Sequence, residues 1–140
     1  MASPTTIRFS DSVRTALTAY AHRTGRTRSA VVNEAVAEWL AMQAHPRVRF
    51  VSVETGERRA VVIDGPEVWT VAEAWLAHEA ADRDTPTIAD ALGLDPATVE
   101  VALAYWADHR DEIDQLLARH WAAQDAALDA WERRQSLQQA

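Results

Sequence analysis

The stretch Thr5 to Leu40 pairs one short alternating segment with two helical patterns, and it places no second strand within reach. Thr5, Ile7 and Phe9 fall on one face of an extended chain, and Thr6 and Arg8 fall on the other. Two helices follow, about Asp11 to Thr24 and about Arg28 to Gln43, with Thr24-Gly25-Arg26-Thr27 between them. Gly25 supplies the left-handed residue that closes the first helix. Ser10 or Asp11 serves as the first N-cap. An isolated strand of this length is unstable in water. The simplest remedy is a second copy of the chain, each copy giving one strand to a two-stranded ribbon. The helix faces support the same expectation. Val13, Ala16, Leu17, Tyr20 and Ala21 on the first, and Val31, Val32, Ala35, Val36, Trp39 and Leu40 on the second, are more apolar than so small a unit can bury alone. The stretch therefore implies an intertwined homodimer.

Charge indicates what such a dimer meets. Residues 1–50 hold seven Arg against Asp11, Glu34 and Glu38, a net of +4, whereas the remaining residues hold seven Arg against eighteen acids, a net of −11. A basic segment on an acidic chain is the footprint of a local polyanion site, and it favours nucleic-acid binding over bare dimerisation.

The residues Ile7-Arg8-Phe9-Ser10-Asp11, Ala16-Leu17, Gly25-Arg26-Thr27-Arg28-Ser29 and Asn33-Glu34-Ala35-Val36 resemble the ribbon-helix-helix repressors of the Arc/MetJ/CopG type, over about 40 residues. In that family the antiparallel ribbon of the dimer lies in the major groove. The resemblance implies that Thr6 and Arg8 face base edges, with Pro4 at the edge of the ribbon. Arg can bridge O6 and N7 of guanine, and Thr can donate to a base or touch a thymine methyl. It also implies that Thr27, Arg28 and Ser29, at the start of the second helix, grip a phosphate. The ribbon offers one long polar side chain, Arg8, where the family usually shows two or three. Base readout is then modest or leans on DNA shape.

Composition bounds the rest. A length of 140 residues allows one domain or two small ones, and 48% hydrophobic content with six Trp permits a real core. With no Cys, the chain forms no disulfide or thiolate metal site, which fits a reducing cytoplasm. No apolar run approaches the roughly 18 residues of a membrane span, and no signal-like segment follows Met1, so no membrane partner is expected.

After His45-Pro46 the pattern switches to period two. Arg47 to Val53 and Arg59 to Ile63 read as a hairpin around Glu54-Thr55-Gly56-Glu57. Gly65-Pro66 then opens a helix over about Glu67 to Ala81. Thr87 to Leu92, a Gly93-Leu94-Asp95 turn and Pro96 to His109 have helix-turn-helix spacing. The second of these helices exposes Glu100 and carries no Arg or Lys, so a packing role is favoured over groove insertion. The tail, about Asp111 to Gln139, is one long amphipathic helix. The expected architecture is thus mainly α: a dimeric ribbon-helix-helix at 1–44, a β-hairpin with a helix-turn-helix-like module at 45–110, and a C-terminal helix at 111–140.

Val61-Val62, Gly65-Pro66-Glu67-Val68-Trp69 and the run Ala102-Leu103-Ala104-Tyr105-Trp106 to Asp111-Glu112-Ile113-Asp114 resemble a small uncharacterised domain of bacterial antitoxins, often encoded beside PIN-like ribonuclease toxins. That resemblance implies a type II antitoxin, a DNA-binding autorepressor that binds and neutralises a cognate toxin through its acidic C-terminal part. Independently of it, the tail's stripe reads either as a packing or dimer helix or as a helix laid into a partner's groove. In the second case Ile113, Leu117, Trp121, Leu128 and Trp131 are the candidate toxin contacts. The alternative is a stand-alone ribbon-helix-helix regulator whose C-terminal module oligomerises or senses a ligand.

Enzymatic chemistry has little support. His78-Glu79 and Asp108-His109-Arg110-Asp111-Glu112 are read as solvated helix-end charges. His120 on the apolar stripe is read as a half-buried packing residue. No nucleophile triad, phosphate loop or ligand set for a metal or cofactor is expected.

Overall fold

A computed structural model describes residues 3–140. The chain is mainly helical and divides into two compact units, Met1–Gln43 and Ala44–Ala140. Among the described residues, no helix is long and apolar enough to cross a membrane.

The first unit holds α1 (Asp11–Thr24) and most of α2 (Arg28–Ala44). Ser10 caps α1, its hydroxyl accepting from the Val13 amide, and Asp11 is the first helical residue, paired with Arg14. Gly25, at φ 67°, ends the helix. The Arg26 amide then reaches back to the Ala21 carbonyl at 3.1 Å and the Gly25 amide to that of His22 at 3.4 Å, which is the Schellman closure. Thr27 starts α2, its hydroxyl accepting from the Ala30 amide at 3.1 Å. Arg26 folds back on Glu34 at 2.8 Å. Residues 5–9 form no strand in the single chain.

The second unit begins with an antiparallel hairpin, β1 (Val48–Ser52) and β2 (Arg58–Val62), in a register that sets Phe50 opposite Ala60. Arg49 donates to the Val48 carbonyl at 2.8 Å and Arg58 to that of Phe50 at 3.2 Å, so charged side chains cover carbonyls along β1. Four helices follow: α3 (Val68–Ala77), α4 (Thr85–Leu92), α5 (Pro96–Asp108) and α6 (Arg110–Gln138). Helix α3 stops four residues short of expectation, and a 3₁₀ turn at Ala80–Asp82 follows it. Arg83 accounts for the early stop. Its Nε donates to the carbonyls of Trp75 and His78 at 3.1 and 3.0 Å, and its Nη2 donates to Leu76 at 3.3 Å. These bonds satisfy acceptors that a further helical turn would otherwise have used.

Helices α4 and α5 are joined by a second Schellman turn at Gly93 (φ 65°), with the Leu94 amide on the Ala89 carbonyl at 2.8 Å. Asp84 and Asp95 cap the two helices and Pro opens the first turn of each. The core gathers one face from every element: Val48 and Val62 from the hairpin, Val68 and Val71 from α3, Ile88 from α4, Val99 and Tyr105 from α5. Ile113, Leu116 and Leu117 of α6 complete it. The start of the tail is therefore part of this unit and not a separate segment from residue 111. The helix-turn-helix shape is present, and the exposed residues of α5, including Ala97, Glu100, Ala104 and Asp108, carry no positive charge. Glu100 takes a hydrogen bond from Thr85.

The corner between α5 and α6 explains why Tyr105-Trp106 and Glu112-Ile113-Asp114 occur together. Tyr105 donates its hydroxyl to Glu112 at 2.6 Å, and the Trp106 indole donates to Asp114 at 2.7 Å. Arg110 reaches the same carboxylate at 3.0 Å. The Trp106 bond, aided by Arg110, holds the Asp114 carboxyl below the usual carboxylate range. A carboxyl with a depressed folded-state pKa contributes stability above the unfolded value of about 3.9, and that contribution is lost as pH falls through the folded value. Replacing Asp114 with Asn is expected to lower the thermal midpoint at pH 7 and to narrow the gap from wild type as pH drops below 4. Thermal melts at both pH values check this.

Candidate functional site

In the first unit, Thr6, Arg8, Arg14, Arg28, Ser29 and Asn33 line one groove, together with Ser3, Thr5, Ile7, Phe9, Leu17 and Val32. Of the five residues expected to meet DNA, the structure brings four together: Thr6 and Arg8 from the N-terminal segment, Arg28 and Ser29 from the first turn of α2. All four are exposed. Thr27 stands apart in role. Its hydroxyl is engaged by Ala30, so it caps the helix, leaving the amides of Arg28 and Ser29 without an intrahelical acceptor. Free amides at a helix start and the positive end of its dipole favour an anion, and Arg28 and Ser29 lie beside them on the groove.

The positive charge of the segment is smaller than residues 1–50 indicate. Arg47 and Arg49 flank or belong to β1 in the second unit, so the first unit holds five Arg against three acids, a net of +2. Arg26 is taken by Glu34, and Arg23 lies over the Tyr20 ring at 5.3 Å. Arg8 and Arg28, both at the groove, have no acid partner among the described ion pairs.

The apolar faces of this unit are open in one chain. Among its described residues only Ala21 and Ala41 are buried apolar side chains, while Ile7, Val13, Val36, Trp39 and Leu40 are exposed. The expected burial of Val36, Trp39 and Leu40 is thus not achieved within one copy, because the first unit offers no third element to cover them.

The candidate partner surface divides in two along α6. Ile113 and Leu117 are each 1% exposed and pack in the core of the second unit, which removes them as contacts for a partner. They hold α6 against α3 and α5. His120, 3.3 Å from Glu73 and tilted over the Trp69 ring at 4.6 Å, is the last residue of α6 so fastened. Trp121, Leu128 and Trp131 are 40%, 54% and 51% exposed and remain available.

Around the α5–α6 corner, His45, Phe50 and His109 surround Tyr105, with His109 stacked on its ring at 4.1 Å. His45 Nε2 lies 2.9 Å from Asp108, too far out of line for a hydrogen bond. Sequence spacing does not single this cluster out, since it marks His45 only as the end of α2. The role of His45 is to pack the start of the second unit against α5.

No protein-family model matches this chain, and no curated protein or solved structure shows significant similarity to it.

Proposed function

We propose that the chain is a dimeric, DNA-binding autorepressor of the ribbon-helix-helix type and the antitoxin of a type II toxin–antitoxin pair. The observation that carries the DNA half is the convergence of Thr6, Arg8, Arg28 and Ser29 on one groove, in a unit whose apolar faces stand open. A second copy pairing at residues 5–9 gives those residues the strand partner they lack and covers Ile7 and the faces of α1 and α2. Thr6 and Arg8 then read bases, and the first turn of α2 holds a phosphate on either side.

The partner half rests on the second unit. It holds nine Arg against eighteen acids, a net of −9, which suits the cationic surface of a ribonuclease. Trp121, Leu128 and Trp131 are its apolar anchors. The deciding experiment expresses the open reading frame beside this gene from a tight promoter, alone and with this protein. Growth arrest by the neighbour, relieved by co-expression, supports the antitoxin reading. A harmless neighbour discards it and leaves a stand-alone regulator.

A further inference from the structure

We infer that Arg14 of α1 is a further phosphate contact, carried on the same groove as Arg28 and Ser29 but from the other helix. The first unit holds five Arg, and the structure sorts them by place. Arg26 is committed to Glu34 and Arg23 to the Tyr20 ring, and neither lines the groove. The other three, Arg8, Arg14 and Arg28, do line it, and among its described lining residues none is Asp or Glu. A chain of net charge −7 thus gathers three guanidinium groups on one concave surface with no acid between them. Like charges gathered in this way repel one another until a polyanion neutralises them.

Helical spacing explains how α1 comes to supply one of the three. Arg14 and Leu17 are three apart on α1, and Arg28 and Val32 are four apart on α2, so each pair shares a helix face. Leu17 and Val32 are half-buried in the groove lining, whereas all three Arg are exposed. Each helix therefore packs an apolar residue inward and holds a guanidinium at the edge.

Arg14 already has one partner, since its Nη2 meets the Asp11 carboxylate one turn back. That pair is open to water, its side chains 61% and 92% exposed, so it is weak and screened by salt. A DNA phosphate, one of a closely spaced row of negative charges, out-competes a single exposed carboxylate. Asp11 does not line the groove, so it holds the guanidinium beside the site without occupying it.

This inference rests on the DNA reading, and one titration tells the two apart. The full-length protein is titrated into a labelled random-sequence DNA duplex at salt concentrations from roughly 50 to 200 mM, and log K is plotted against log salt. Arg14→Ala is expected to flatten the slope by about one unit per copy, about two per dimer. Arg23→Ala removes the same charge from the same helix but not from the groove, and it is expected to leave the slope unchanged. Asp11→Asn breaks the Arg14 pair from the other end and leaves the guanidinium in place, so binding should tighten. Circular dichroism and sedimentation of each variant should match the wild type. Equal slopes in Arg14→Ala and Arg23→Ala would make Arg14 one charge among several. Weaker binding by Asp11→Asn would make the pair a brace for α1. Either result overturns the inference while the DNA reading stands. No binding by the wild type at the lowest salt would remove the DNA reading and this inference with it.

Discussion

Leu117→Ala should lower the unfolding free energy by about 2–5 kcal/mol, while Leu128→Ala, eleven residues along the same helix, should change it by less than about 0.5 kcal/mol. The two side chains are identical and lie on one stripe, so any difference comes from surroundings. Leu117 is 1% exposed among Ile113, Leu116 and the buried faces of α3 and α5, and shortening it leaves a cavity in a packed core. Leu128 is 54% exposed beyond the last element that touches α6, so within one chain shortening it opens no cavity. Urea unfolding of the two variants measures the contrast, with the midpoint reporting the change if the slope is held. Equal losses would mean that the distal helix is as firmly packed as the proximal one, and the division of α6 into anchor and ridge would fall. Binding separates the pair in the opposite sense: a partner on the ridge is weakened by Leu128→Ala and reached by Leu117→Ala only through the fold.

That contrast also shows where the sequence stops being readable. Apolar residues recur at helical spacing from Ile113 to Trp131, and nothing in that spacing marks the residue at which the supporting helices end. The limit is set by the lengths of α3 and α5, a tertiary fact, so spacing alone groups Ile113 and Leu117 with the exposed residues. The same kind of limit applies at α3, whose apolar spacing continues past Ala77 although the long side chain of Arg83 returns to take its last carbonyls. Where a local signal is sufficient the sequence is legible. Gly25 and Gly93 at the turns, Ser10 and Asp95 as caps, and Pro96 in a first turn locate helix ends before any packing is known, whereas Thr27, read as a phosphate contact, is a cap. Thr6, Arg8, Arg28 and Ser29 line one groove because one short segment and one helix start carry them, and Thr27 is not among its lining residues. The charge step is less so. Counting to residue 50 credits the first unit with Arg47 and Arg49, which belong beyond the α2 terminus.

The second large effect concerns Arg8. If the ribbon reads bases, Arg8→Ala removes one bidentate contact per strand, worth about 1–3 kcal/mol of discrimination at each half-site. With two copies on the operator the expected loss of selectivity is roughly 30- to 10⁴-fold, enough to bring specific binding near the nonspecific level. The dimer should persist, since Arg8 alternates with Ile7 and Phe9 and lies on the polar side of the segment. Sedimentation at micromolar concentration checks that point. Arg28→Ala, at the α2 start, should behave differently. It should weaken binding to operator and random DNA alike. It should also flatten the dependence of log K on log salt by about one unit for each phosphate left without its guanidinium, about two per dimer. Competition footprinting against random DNA at two salt concentrations resolves the two patterns in one experiment. Retained operator selectivity in Arg8→Ala would remove the ribbon from base readout, and an unchanged salt slope in Arg28→Ala would remove the helix start from phosphate binding. Because Arg8 is the single long polar side chain in residues 5–9, no neighbour in that segment could replace it in base readout, and that is why one substitution should have so large an effect.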